Sequence, residues 1–388
     1  MDKVKQNYIK HISEMCLKYP TYHAGSEGER ERANYIEKVF HSYGIKTRRE
    51  EYPIRCWDFK SFSLVNVTKG KEVPTAICCH FSGSVDAEQK IMMLTPDMVK
   101  NIDNIDVKDQ IVFVCEVIGH VFDNNDLAVK LEKMGAKAAI YYDRGTELGL
   151  PSSKIVRPDK TEKIGLCSVG PFGAMYIAAN KNDTYRLKID AKPYDGFTDN
   201  VIGYIEGGDK KAVFGAHYDS APCLQGAGDD VSGTAMLLEV ARLMKDKTNG
   251  FTLEFGAFST EEYISIRGTT PPGSQDYVNR HKHENIAWFM NFDDYAGPEP
   301  YYADYLGVGH LDKLPEINWP MPPVRAQLAG DDVTFFGEGI PTIWLGDKKR
   351  HMPVHTVADC IDIIDFDRMT EGTKKMISMA TQLLEKMK

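Results

Sequence analysis

His, Asp and Glu gather at the ends of apolar runs in the second half of this chain. The run 212–216 leads into His217-Tyr218-Asp219-Ser220. A glycine-rich loop follows, Gly226-Ala227-Gly228-Asp229-Asp230-Val231-Ser232-Gly233. The run 251–258 leads into Ser259-Thr260-Glu261-Glu262, and 286–292 into Asp293-Asp294. Late in the chain stands His355-Thr356-Val357-Ala358-Asp359. One His-x-Asp or one Glu-Glu pair is ordinary on a protein surface. Clusters at successive strand ends are a different signal, because carboxylates buried together are costly unless cations neutralise them. Two imidazoles among several carboxylates suit zinc, with cobalt or manganese as substitutes.

Such clusters meet only if the elements that carry them lie side by side. The pattern predicts strands at 212–216, 251–258, 286–292 and 342–345. It predicts a helix capped by Ser232 and running through Lys245, with Met236, Leu237, Val240, Ala241 and Met244 inward. A last helix covers about 366–387. Near the start, Ser26 and Glu29 form a capping box for a helix over 26–43, which Gly44 ends. Strand follows from Lys46 to about Val65. A different rhythm begins near residue 67: a buried-type strand at 111–115, a helix at 126–134, a strand at 138–142, a loop over 143–163, and an Asp-, Lys- and Gly-rich returning linker over 181–199. The expected fold class is α/β, a mixed, mainly parallel central sheet covered by helices on both faces, with an inserted smaller α/β or β-rich domain. The expected division is 1–66 with 196–388, interrupted by 67–195. In such sheets function sits at the loops beyond the carboxyl ends of strands.

The ordered set of motifs resembles the co-catalytic di-zinc aminopeptidase family, which includes secreted bacterial leucine aminopeptidases, vacuolar aminopeptidases and transferrin-receptor-like proteins. The matching pieces are His217 to Ser220, Gly226 to Gly233, Glu261-Glu262, Asn291-Phe292-Asp293 and His355 to Asp362. Asn200 to Gly203, Phe335 to Pro341 and residues 25–52 extend the likeness. The strand 111–115 and Gly135-Ala136 make the insert resemble a protease-associated domain. The resemblance implies two Zn2+ per chain. Asp229 would bridge them, Glu262 and His355 would complete one site, and His217 and Asp293 the other. Asp219 would hold the His217 tautomer, a service metal-bound imidazoles generally need; Asp359 is a lesser candidate for the same service. Glu261 would be the general base that takes the proton of a water activated between two cations and returns it to the leaving amine. The implied partner is a peptide substrate.

Departures from the family pattern bear on specificity. Tyr263 stands where relatives carry glycine, and Gly273-Ser274-Gln275-Asp276-Tyr277 arrives late, after an insertion that includes Pro271-Pro272. Asp331-Asp332 stands where an Ser-Asp-His segment is usual, so no catalytic duty is assigned there. Cys223, between the first two motifs, reads as structural, because the His and carboxylate set leaves no place for a thiolate. The basic run Lys348-Lys349-Arg350-His351 reads as a solvated loop, or as a dock for a substrate carboxylate. Tyr301, Tyr302 and Tyr305 read as pocket wall or core.

Composition narrows the function classes. With 47 basic against 56 acidic side chains the net charge is −9, which argues against a nucleic-acid partner. No apolar stretch is long enough for a membrane helix. The start lacks a signal-peptide h-region, so a chain that begins naturally at Met1 is expected in the cytoplasm; a trimmed one would be secreted or periplasmic. The eight scattered cysteines, several within apolar runs, read as reduced buried thiols. The leading expectation is a metal-dependent aminopeptidase. A carboxypeptidase or dipeptidase would share the centre. A glutaminyl cyclase fits less well, since both His217 and Asp293 are retained, and a receptor-like binding protein would be expected to have lost ligands.

Overall fold

Two sheets organise the chain. The computed structural model describes residues 3–19, 21–115, 124–143, 150–151, 161, 163–263, 270–297, 304–325, 330–347 and 354–388. Helix α1 (Lys3–Cys16) turns Tyr8, Ile12 and Met15 to one buried face, as the helical period requires. Helix α2 (Glu27–Ser42) starts at Ser26, whose side chain accepts the Glu29 N–H. The following elements are β1 (Lys46–Asn66), β2 (Lys71–Glu72), β3 (Ala76–Cys78), β4 (Val85–Lys90), β5 (Met92–Leu94), α3 (Pro96–Lys100), β6 (Ile111–Val114), α4 (Asn124–Lys133), β7 (Ala138–Tyr142), β8 (Gly165–Val169), α5 (Pro171–Ala179) and β9 (Thr184–Ile205). Then come β10 (Lys210–His217), α6 (Ser232–Met244), β11 (Phe251–Phe258), α7 (Pro272–His281), β12 (Asn285–Phe292), β13 (Asp304–Gly309), β14 (Val324–Arg325), α8 (Asp332–Gly337), β15 (Thr342–Asp347) and α9 (Phe366–Lys386).

The larger sheet has the order β14-β13-β15-β12-β10-β11-β9-β1-β2, with β4 also paired to β9. Its centre is parallel: β10 pairs β11 and β12, and β12 pairs β15. Strands covered on both faces are apolar throughout. Phe214, Phe255 and Trp288 face α1, α2, α6 and α9, while Val213, Phe258 and Phe289 face Tyr277 and Val278 of α7 and Phe335 of α8. The smaller sheet, β3-β8-β7-β6-β5, packs Phe113, Ile140 and Cys167 against Trp57 and Leu187 of the β1–β9 ribbon. Its other face packs Val112, Ala139 and Leu166 with Ala128 and Leu131 of α4. Among the described residues no helix is long and apolar enough to cross a membrane. All eight cysteines are unpaired thiols.

Two sequence expectations are corrected. Residues 181–199 are not a linker: from Thr184 they form β9, which pairs with β1 from Asn66↔Tyr185 to Lys46↔Tyr204. Tyr185, Leu187, Ile189 and Ala191 point inward while Arg186, Lys188, Asp190 and Lys192 point out. The charges that suggested a linker occupy the solvent side of an alternating strand. The expected boundary at 195/196 therefore falls inside one strand. Ser232 does not cap α6 but is its first residue, donating its hydroxyl to Gly228 O at 2.8 Å. Asp230 serves the helix start instead, accepting Gly233 N–H at 3.0 Å, because Val231 and Ser232 are already helical while Asp229 and Asp230 are not. The expected loop over 143–163 lies mostly outside the described residues.

Candidate metal centre

Parallel strands end together, so the sheet delivers its terminal residues to one edge. His217 is the last residue of β10 and is in register with Phe258 of β11. Glu261 and Glu262 lie three and four residues beyond Phe258, and Asp293 follows β12 directly. Asp229 comes from the loop before α6 and His355 from the chain after β15. His217 Nε2 lies 2.9 Å from Asp229 Oδ1 and 4.0 Å from Asp293 Oδ1. His355 Nε2 lies 3.0 Å from Asp229 Oδ2 and 3.3 Å from Glu262 Oε2. Asp229 thus belongs to two groups of potential ligands, His217–Asp229–Asp293 and Asp229–Glu262–His355, each with donor atoms within 4.8 Å of one another. Nitrogen and carboxylate donors at that density fit divalent zinc. Glu261 Oε2 stands 3.9 Å from His217 Nε2, a donor of the first group, and Glu261 is the chain neighbour of Glu262 in the second.

The electrostatics are those of crowded acid. Burial alone would lower the His217 imidazole, but Asp219 and Asp229 outweigh it and hold it well above its usual value. Burial would raise Asp229, yet the two histidines hold it well below the carboxylate range. At Asp230 burial outweighs the pull of His217 and, with Asp293 and Asp229 nearby, pushes the carboxyl well up. Burial also pushes Asp331 and Asp359 to about 7. Divalent cations would relieve this mutual repulsion.

Around the donors stands a frame of hydrogen bonds. His217 Nδ1 faces the backbone oxygen of Asp219 at 3.2 Å and its Oδ1 at 3.4 Å, so Nε2 is the nitrogen turned toward the carboxylates. The same Asp219 carboxylate accepts Glu261 N–H at 3.1 Å and Glu262 N–H at 3.2 Å. Asp359 accepts Gly228 N–H at 2.6 Å and Asp229 N–H at 3.2 Å, so its hold falls on the loop that carries Asp229. Buried Arg32 donates to Met15 O, Tyr218 O and Gln225 O, tying α1 and α2 to the 218–225 loop. Cys223, Thr260, Asp294 and His355 have left-handed backbone despite being non-glycine, a concentration typical of functional sites.

Sequence reasoning missed Gly330. A Cβ there would sit 2.6 Å from Asp293 Oδ2 and 3.6 Å from Glu261 Oε1. The only signal was its place in Gly330-Asp331-Asp332, which was read without a duty. Asp331 is buried, under the influence of His217, Asp293 and Asp219. Tyr263 packs edge-on against His80 and Phe81 and donates to Arg55 O. It joins the smaller sheet's core to the Glu261–Glu262 segment. Cys223 packs with Ile77, Ala221 and Leu224, and neither potential ligand group includes it. Tyr305 stacks edge-on against Trp344, which donates to Asp293 O at 3.0 Å. Tyr301, Tyr302 and the run Lys348-Lys349-Arg350-His351 lie outside the described residues.

Residues 200–380 match Peptidase family M28. Aminopeptidase YwaD of Bacillus subtilis is 26% identical over 286 residues, 67% of this chain and 60% of that protein. The aligned stretch thus spans under two thirds of that relative. Aminopeptidase Y of Saccharomyces cerevisiae is 25% identical over 409 residues, covering 92% of this chain and 72% of its own. Among solved structures, a zinc aminopeptidase from Bacillus subtilis superposes with a TM-score of 0.72 at 20% identity, over 98% of this chain and 94% of that one. A peptidase M28 precursor from Shewanella amazonensis gives 0.73 at 17% identity, over 98% and 96%. These structural likenesses establish the mixed α/β fold.

Proposed function

We infer that this chain, whose residues 200–380 fall within Peptidase family M28, is a metal-dependent exopeptidase that removes residues from the amino end of peptides. The observation that carries the reading is Asp229 shared between two donor groups, with Glu261 within 3.9 Å of His217 in one of them. The aminopeptidase relatives favour the amino-terminal direction. In this reading His217, Asp229 and Asp293 hold one zinc, and Asp229, Glu262 and His355 hold a second. When bound, the cations supply a polarised carbonyl and a water of lowered pKa. Asp229 would be common to both sites, and Asp219 would fix the His217 tautomer while gripping both glutamate amides. Glu261 takes the proton of the attacking water as the O–C bond forms. It hands that proton to the departing amine as the C–N bond breaks. Asp359 keeps the Asp229 loop in register. A receptor-like role fits poorly with a full donor set and an adjacent base.

We also propose that residues 67–195 form an inserted domain of the protease-associated kind. Its five-stranded sheet and the core between that sheet and α4 support this, although β2, β4 and β9 pair into the larger sheet.

The test is hydrolysis of aminoacyl chromogenic substrates and N-acetylated dipeptides, with zinc, cobalt or chelator. Chelator-sensitive cleavage that needs a free amino terminus is expected. Cleavage of the blocked dipeptides would move the assignment to a carboxypeptidase or dipeptidase. Cyclisation of amino-terminal glutamine without hydrolysis would move it to a cyclase.

A further inference from the structure

Glu261 and Glu262 leave the end of β11 together, and the backbone turn that sets their direction is at Thr260. Its φ is +65°, a conformation that a β-branched residue rarely adopts. Such a turn persists only where its surroundings over-determine it. Downstream, the Asp219 carboxylate holds the amides of Glu261 and Glu262. Upstream, everything converges on Ser259. Its N–H donates to Asn200 Oδ1 at 3.2 Å, and its carbonyl accepts Tyr52 OH at 3.1 Å. Tyr52 OH also meets Thr260 Oγ1 at 2.9 Å. Gly273 lies so close that a Cβ would fall 2.0 Å from Ser259 O.

The remaining restraint is a carboxylate from the other end of the chain. Ser259 Oγ donates to Glu29 Oε1, which also accepts Thr198 Oγ1 at 2.6 Å. Glu29 Oε2 accepts Gly25 N–H at 2.6 Å. Glu29 is 1% exposed. A capping-box glutamate normally spends its side chain on the N-cap amide. Here one oxygen serves the amide next to the cap, and the other reaches the end of β11.

We propose that Glu29 is a positioning residue: through Ser259 it holds Thr260 in left-handed backbone and so sets the direction in which Glu261 and Glu262 enter the donor cluster. The inference rests on the peptidase reading for its kinetic readout, and on metal binding alone for its second. In Glu29→Ala the turn relaxes toward ordinary backbone. Affinity for the second equivalent of Co2+, followed by absorption, should fall roughly 10–100-fold, and kcat by a similar factor with KM little changed. Adding Thr260→Gly should restore most of both losses, since glycine takes positive φ without restraint. Ser259→Ala, alone and with Thr260→Gly, is the milder pair should Glu29→Ala not fold, with the same directions expected.

Wild-type cobalt affinity in folded Glu29→Ala and in Ser259→Ala would overturn the proposal. So would losses that Thr260→Gly does not repair in either background. If the wild-type chain binds cobalt but hydrolyses no peptide, the functional reading falls, and the cobalt titrations still decide the role of Glu29.

Discussion

At the residue scale the centre follows from donor chemistry. Glu261 is close to the donor groups yet belongs to neither, which separates proton transfer from metal binding. Glu261→Gln should therefore lower kcat by roughly 10²–10⁴-fold with metal content unchanged; elemental analysis alongside kinetics checks this, and lost metal would mean Glu261 is itself a ligand. Gly330→Ala tests the close approach to Asp293. Its Cβ would fall 2.6 Å from Asp293 Oδ2, so Asp293 must swing away. The expected result is one cobalt per chain where the wild type binds two, with the Glu262–His355 group retained. His217, Asp229, Glu262, Asp293 and His355, marked as candidate ligands by residue type and by the family resemblance, come together in two groups that could hold a metal ion. Gly330 was not legible in the sequence, because an absent side chain leaves no chemical mark. Glu29 was legible only as a cap: the sequence places it on α2, and nothing in it reveals that Ser259 packs there.

At the element scale, legibility followed periodicity. Strands β7 and β11 matched their apolar runs, and α2 its cap. Strand β9 was misread because its composition outweighed its alternation, and α1 was overlooked because its apolar stripe of Tyr8, Ile12 and Met15 is thin. The elements also carry a buried ion network. Glu254 of β11 meets Arg48 Nη2 at 2.8 Å, Lys211 Nζ at 2.6 Å and Tyr277 OH at 2.7 Å. Burial alone would raise Glu254, but Arg48 and Lys211 outweigh it and bring it to about 2, against an ordinary 4.5. A carboxylate depressed in the folded state stabilises fully above its unfolded value, and that stability is lost as pH falls through the folded one. The window is thus pH 4.5 down to 2, worth about 3 kcal/mol. Urea unfolding of wild type and Glu254→Gln should show the gap between them shrinking by about that amount across the window. A gap independent of pH would refute the assignment.

At the scale of the whole molecule, acid crowded at one sheet edge links stability to cations. With each ion at a hundred times its Kd, binding adds about 2.7 kcal/mol to the folded state. Calorimetry with excess zinc and then with chelator should show Tm falling by roughly 3 °C or more; an unchanged Tm in a protein shown to bind two ions would contradict the buried centre. The mixed fold was readable from alternating strand and helix signals, but the joining of its two sheets was not. That joining is the ribbon in which β1 pairs with β9 along its full length, with the smaller sheet's strands all falling between them in the chain. During synthesis β1 leaves the ribosome long before β9 exists. The intervening residues must collapse first to bring the ribbon's halves together, since closing so long a loop has an entropic cost that only later contacts repay. Every proposed ligand, from His217 to His355, emerges after that closure. The nascent chain thus carries both strands of the ribbon before any of the groups proposed to do chemistry, and the full donor set cannot assemble until His355 has emerged.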